Sequence, residues 1–160
     1  MSIERVRAYL APFGMDEKIL EFDTSSATVE LAAQALGVAP QRIAKTMSFE
    51  HADGCILVVA AGDARVDNHK FKAEFGCKAR MLRAQDVEAR VGHAVGGVCP
   101  FGVREDVRIY LDVSLKRFET VFPACGSANS AVEVTPQQLE TLCPSATWVD
   151  VCKLASVPEN

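Results

Sequence analysis

A mixed α/β or α+β domain with a single core is the fold this sequence predicts, on three observations. The chain has 160 residues, about the size of one domain. Short runs of β-branched and apolar residues are interspersed with segments of helical period. Two of the strand-like runs are separated by a tight turn signal, so at least one hairpin is present and a strictly parallel sheet is excluded.

The elements follow in order. Ser2 caps a first amphipathic helix over about 3–12, in which Ile3, Val6, Leu10 and Phe13 recur at near-helical spacing until Gly14 stops the pattern. Lys18–Phe22 is a short strand. Asp23-Thr24-Ser25-Ser26 provides turn and cap chemistry for a helix over about 28–36, closed by Gly37, and Pro40 prevents it from resuming. Arg42–Phe49 and Cys55–Ala61 read as strands joined through His51-Ala52-Asp53-Gly54, whose Asp-Gly pair marks a hairpin. Helices are predicted over Asp67–Phe75 and Ala84–Val91, ended by Gly76 and Gly92. After a glycine-rich stretch over 93–102, strands are predicted at Val107–Asp112, Val121–Phe122 and Ala131–Val134. A helix capped by Thr135 and opened by Pro136 follows, then a last strand at Trp148–Val151 and a loose tail over 154–160.

Composition narrows the functional classes. Apolar residues make up 49% and charged residues 24% of the chain, the balance of a folded soluble protein. A chain of this length buries about 68–70% of its unfolded surface, enough to fold without a metal or a disulfide. No apolar run approaches the roughly 18–20 residues of a membrane span, and Glu4, Arg5 and Arg7 stand where a signal peptide would be apolar, so a cytoplasmic protein without a membrane partner is expected. Seventeen basic against 21 acidic residues leave a formal net charge of −4, which gives the whole molecule no attraction for nucleic acid, although a local basic patch can still supply one. Six cysteines without a C-x-x-C, and three histidines, provide no zinc-ligand spacing; the cysteines read as buried small hydrophobes, and no metal is expected.

Four segments carry chemistry. On a strand of period two, Lys45 shares its face with Ile43, Met47 and Phe49, so its ammonium either snorkels out, as a protective edge lysine, or stands at the wall of a cleft where it can meet a phosphate or an oxyanion. Gly92-His-Ala-Val-Gly96-Gly97-Val-Cys-Pro100-Phe-Gly102 has four glycines in eleven residues. Such a loop presents N–H groups to an anion or serves as a structural bulge, and it matches neither a P-loop nor a dinucleotide fingerprint. Ala124-Cys-Gly-Ser-Ala-Asn129-Ser130 is a small polar turn, suited to a ligand or simply to Asx-turn chemistry. The stretch from His69 to Arg83 gathers basic residues with interleaved Phe71 and Phe75, a pattern that fits either a nucleic-acid backbone or a solvated helix face. Cys99 and Cys125 sit in loops beside glycine, but no activating partner is fixed by the sequence.

Taken together, Ile43-Ala44-Lys45-Thr46, the glycine loop, Tyr110-Leu111-Asp112 and the Cys125–Ser130 turn before Val132-Glu133-Val134 resemble the YbaK/EbsC-type family of prolyl-tRNA-synthetase-associated editing domains, in order and spacing from about residue 20 to 152. The resemblance implies a compact single domain over 1–153, with a twisted, largely antiparallel mixed sheet flanked by helices, that hydrolyses the ester of mischarged aminoacyl-tRNA. The substrate it implies is tRNA-Pro, or a related tRNA, carrying a small wrong amino acid. By the same resemblance Lys45 is the residue tied to activity and Gly96 and Gly97 border the pocket; our own reading adds that backbone N–H groups around these two glycines face the oxyanion. Pro100, Phe101 and Gly102 border the pocket, and Gly126, Asn129 and Ser130 close it.

Thr28, Val29 and Met47 are candidate substrate contacts, the last two as a size limit. Lys70, Lys72, Lys78 and Arg80 are candidate tRNA contacts. No cofactor is implied, since a water oriented by the substrate's own 2′-hydroxyl suffices; prolyl-tRNA synthetase is the implied second partner. Relatives that edit alanine carry a histidine-proline pair where this chain has Cys125-Gly126, so the resemblance does not fix the amino acid. Two rival readings are a non-catalytic binder of aminoacyl-tRNA or nucleotide and a cysteine-dependent enzyme.

Overall fold

The chain order in the computed structural model, which describes residues 2–52 and 54–154, is α1 (Ser2–Leu10), β1 (Leu20–Glu21), α2 (Val29–Leu36), β2 (Ile43–His51), β3 (Gly54–Ala61), β4 (Ala64–Val66), α3 (Asn68–Phe75), α4 (Ala84–Val91), β5 (Arg108–Asp112), β6 (Phe122–Pro123), β7 (Ser130–Ala131), α5 (Pro136–Leu142), β8 (Thr147–Val149) and β9 (Cys152–Leu154). Short 3₁₀ turns follow α1 and precede β2. Asp53 of the hairpin turn, and all of the expected tail except Leu154, lie outside the described residues.

The helix ends obey local chemistry. Thr28 accepts from the Leu31 N–H, Asp67 from the Lys70 N–H, and Thr135 with Gln138 closes a capping box on α5. Gly37, Gly76 and Gly92 end α2, α3 and α4.

The main sheet has strand order β6-β2-β3-β5-β8. β3 lies at its centre, and its run Cys55-Ile-Leu-Val-Val-Ala-Ala61 is at most 6% exposed throughout, as a strand covered on both faces must be. The β2–β3 hairpin is antiparallel over eight residue pairs, from Ala44↔Ala61 to His51↔Gly54. The β1–β7 and β4–β9 pairs are antiparallel too. The other three pairings of the main sheet, β2–β6, β3–β5 and β5–β8, are parallel. The domain is thus the mixed α/β fold expected, with more parallel pairing than "largely antiparallel" conveys, because helices and loops return the chain to the same end of the sheet.

The core divides into a large cluster around β3, α1 and α5 and a smaller one of Ala32, Ala33, Ile43, Phe122 and Ala131 under α2. Within the large cluster His93 is fully buried, and its Nε2 donates to the Phe101 carbonyl at 2.6 Å. Burial above all holds the His93 pKa below its usual value, so the folded protein keeps this ring neutral. The unfolded chain takes up a proton below about pH 6.5. Between that pH and the lower folded value it binds more protons than the native state, so stability declines as pH falls. We expect urea midpoints measured from pH 7.5 to 5 to drop more steeply for the wild type than for His93→Gln, whose amide can still donate to Phe101; identical slopes would reject a titrating role for His93.

Candidate active site

Three segments converge on the free edge of β2. The strap 22–28 is tied to the 128–131 turn by Phe22 N–H to Asn129 O at 2.8 Å and Ser26 N–H to Ala128 O at 2.6 Å. Gly96 sits between them. A Cβ placed on it would stand 3.3 Å from Ala27 Cβ and 3.5 Å from Ala128 Cβ, and its φ of +94° is one that favours glycine. The cavity they enclose with β2 and the start of α4 has a volume of about 300 Å³. Its wall includes Thr28, Val29, Lys45, Thr46, Gly96 and Ser130, and Lys45 is the one charged residue in it.

Lys45 owes its position to small neighbours. Across the hairpin it pairs with Ala60, which is fully buried, so the lysine stem finds room along the sheet. Its ammonium has no ion-pair partner among the described residues. Burial holds its pKa below the ordinary lysine value, with Asp63 and Glu30 pulling the other way. The wall thus carries a half-buried, unpaired cation beside hydroxyl groups and apolar surface, an arrangement that attracts an anionic ligand group.

Of the candidate catalytic and substrate-binding residues, Thr28, Val29, Lys45, Gly96 and Ser130 meet at this cavity, and Met47, Gly97, Pro100, Phe101, Gly102, Gly126 and Asn129 do not line it. Met47 packs against the main core. Gly97 donates its N–H to Ala94 O at 3.0 Å, which leaves that group unavailable to an oxyanion. Phe101 is fully buried and Pro100 is buried beside it. Gly102 faces Arg5, and Gly126 lies against the Ser2 carbonyl. Asn129 donates to the Phe22 carbonyl at 2.9 Å, holding the strap rather than the cavity. These residues shape the loops behind the wall. Thr46, Ser26, Met81, Val95 and Val98, also in the wall, were missed. Met81 and Val95 are 57% and 61% exposed, and apolar side chains left exposed at a cleft mark a binding surface that only the fold reveals.

The basic cluster is dispersed. Lys70 is held by Asp150 and the Cys152 carbonyl, both at 3.0 Å. Lys72 and Lys78 line a separate hollow with Asn68, His69 and Ala79. Arg80 is exposed and adjoins Met81, so it stands nearest the cavity along the chain.

The cysteine-enzyme reading fails on burial. Cys99, Cys125, Cys143 and Cys152 are buried, which pushes the thiols of Cys99, Cys143 and Cys152 up to about 12 and that of Cys125 higher still, and none of them lines the cavity. Cys99 Sγ lies 3.6 Å from His93 Nε2, but that ring is neutral and committed to Phe101, so no thiolate forms. Cys77 is the one cysteine that is not buried. A thiol-blocking reagent applied to the native protein is expected to label Cys77 alone and to leave activity intact; inactivation that tracks labelling of Cys99 or Cys125 would restore the cysteine mechanism.

Known proteins place this architecture. The family model for the aminoacyl-tRNA editing domain matches residues 23–142. The chain is 54% identical over 154 residues to "Uncharacterized protein YwhH" of Bacillus subtilis (strain 168), covering 96% of this chain and 98% of that protein. It is 27% identical over 117 residues to "Putative Cys-tRNA(Pro)/Cys-tRNA(Cys) deacylase EbsC" of Enterococcus faecalis, covering 72% and 71%. A solved structure described as "a putative trans-editing enzyme for prolyl tRNA synthetase" superposes with a TM-score of 0.85 at 30% identity, covering 95% of this chain and 97% of that one. The chain belongs to the aminoacyl-tRNA editing domain family. Within that family it has the YbaK/EbsC architecture, and its enzyme class is aminoacyl-tRNA deacylase.

Proposed function

We propose that this protein edits in trans, hydrolysing the ester of tRNA-Pro, or a related tRNA, that carries a small wrong amino acid, in the cytoplasm and alongside prolyl-tRNA synthetase. The observation that carries the reading is the meeting of Lys45 and Gly96 at one cavity of about 300 Å³. That volume lies at the small end of ligand sites. It favours a small aminoacyl group and its ribose, with the rest of the tRNA outside.

An aminoacyl ester is already activated, so position and charge stabilisation do most of what is needed. Lys45 anchors the terminal phosphate or the developing oxyanion. Water, oriented by the substrate's 2′-hydroxyl, adds to the ester carbonyl carbon; the carbon–oxygen bond to the 3′-oxygen then breaks, and that oxygen takes a proton. Met81 and Val95, exposed on the wall, offer apolar surface to the terminal adenine. A second, smaller site is valuable because one methylene separates amino acids by only about 1–3 kcal/mol in a synthetase pocket. The test is a deacylation panel of tRNA-Pro and other tRNAs charged with Ala, Cys, Ser, Thr, 2-aminobutyrate and Pro. Hydrolysis of one small mischarged residue, with Pro-tRNA spared, is expected; no hydrolysis of any ester would overturn the reading.

A further inference from the structure

The free edge of β2 has a gap one residue wide. β6 covers Ile43 and Ala44, where it pairs through Phe122 and Pro123. Farther along, the segment 80–82 covers the edge: Leu82 N–H donates to Ser48 O at 3.1 Å, and Glu50 N–H donates to Arg80 O at 2.8 Å. Ser48 and Glu50 therefore turn their backbone groups away from β3. Strand groups alternate with a period of two, so Thr46 also turns its N–H and C=O outward. No hydrogen bond between described residues outside the strand ladders takes up either group. Thr46 lines the cavity, and its Oγ1 is a buried side-chain oxygen without a partner. Unpaired backbone on a sheet edge is a template for another strand residue.

An aminoacyl group is one amino-acid residue, with an α-nitrogen and a carbonyl in the relation that they have within a strand. The wall holds no carboxylate to receive its α-ammonium. We propose that Thr46 pairs with the aminoacyl group of the substrate as a single added strand residue, its N–H donating to the ester carbonyl and its C=O accepting from the α-ammonium. The proposal rests on the deacylase reading and deepens it. Thr46 N–H then supplies the oxyanion donor that Gly97, committed to Ala94, does not. Paired residues project side chains to the same face, so the substrate's side chain lies with that of Thr46 and near Ala44 and Ser48. Those two residues, rather than Met47, limit its size.

Two measurements on the full chain test this. The first titrates the ¹⁵N-labelled protein with 3′-deoxy-3′-(L-alanylamino)adenosine, a stable amide analogue, and with its propionylamino counterpart, which lacks the α-nitrogen. The Thr46 amide proton is expected to move downfield with the alanyl compound, and the propionyl compound is expected to bind about tenfold more weakly, the effect of losing a hydrogen bond to a charged group.

The second replaces Thr46 by its α-hydroxy acid, which removes the N–H and makes the Lys45 carbonyl an ester; kcat on the best mischarged tRNA, measured well below the variant's own thermal midpoint, is expected to fall about 100-fold, as on loss of an oxyanion-hole donor. An unshifted Thr46 amide in the presence of bound analogue, equal binding of the two analogues, or an unchanged kcat would overturn the pairing while leaving the deacylase reading intact. Failure of the unmodified protein both to bind the analogue and to hydrolyse any ester would overturn the two together.

Discussion

Lys45→Ala is expected to lower deacylation of the preferred mischarged tRNA by about 100-fold or more, the scale of removing a preorganised charge from a water-poor site. Lys45 is the only charge in the cavity wall, and no carboxylate among the described residues is paired with it, so its removal leaves the wall without a cation. The stability arm has the opposite sign. Because burial depresses the Lys45 pKa, the unfolded chain holds this proton more readily than the folded one, and stability linked to Lys45 rises as pH climbs through the folded value toward the usual lysine range near 10.4. At neutral pH the ammonium therefore opposes folding. Lys45→Met keeps the methylene stem against Ala60 without the charge, so it should be as inactive as the alanine variant while unfolding at the same temperature or higher. A methionine variant that retained wild-type rates would remove Lys45 from the mechanism; loss of both activity and stability would make it a structural residue.

What the sequence reveals and hides here follows the range of each interaction. Helices announce themselves locally: Thr135 caps α5 as expected and Gly37, Gly76 and Gly92 end their segments, while the cap of α2 is Thr28 rather than a residue of the 23–26 turn and Asp67, expected within its helix, is the cap of α3. The hairpin was legible because two apolar runs flank a turn. The three-residue strands β4 and β9 were not, since each is too short to show alternation and exists only through pairing across 88 positions of chain, Val66 with Cys152 being the nearest pair at 86. Parallel neighbours such as β3 and β5 are likewise set by long crossovers that leave no local mark. Within the site, Lys45 stood out as a charge among apolar residues. Thr46, next to it, entered only as a letter of the family motif with no role of its own, because its contribution lies in a backbone left bare by the way β6 and the 80–82 segment stop short of each other. Phe101 illustrates the converse: it belongs to the loop that carries part of the family resemblance, but its side chain fills the core behind that loop.

Gly97→Ala is expected to damage the fold of the site severely. A Cβ at Gly97 would stand 2.5 Å from Gly126 C, 2.6 Å from Ser127 N and 2.7 Å from Gly126 O. All three are backbone atoms, which cannot swing aside as the end of a side chain can. Nor can the turn retreat as a unit, because a Cβ on Gly126 would itself lie 2.7 Å from Ser2 O at the start of α1, so that side is already closed. Overpacking of this kind destabilises by about 3 kcal/mol or more, which in a domain of this size lowers the melting temperature by roughly 6–12 °C. The displaced loop carries Gly96 away from Ala27 and Ala128, opening the wall opposite Lys45, so deacylation should fall along with stability even well below the melting temperature. Gly54→Ala is the control: nothing lies within 4 Å of the added methyl, and its effect should stay within about 0.5 kcal/mol. An unchanged melting curve for the Gly97 variant would mean that the loop and the turn are not in backbone contact, and the cavity they help to close would lose its support.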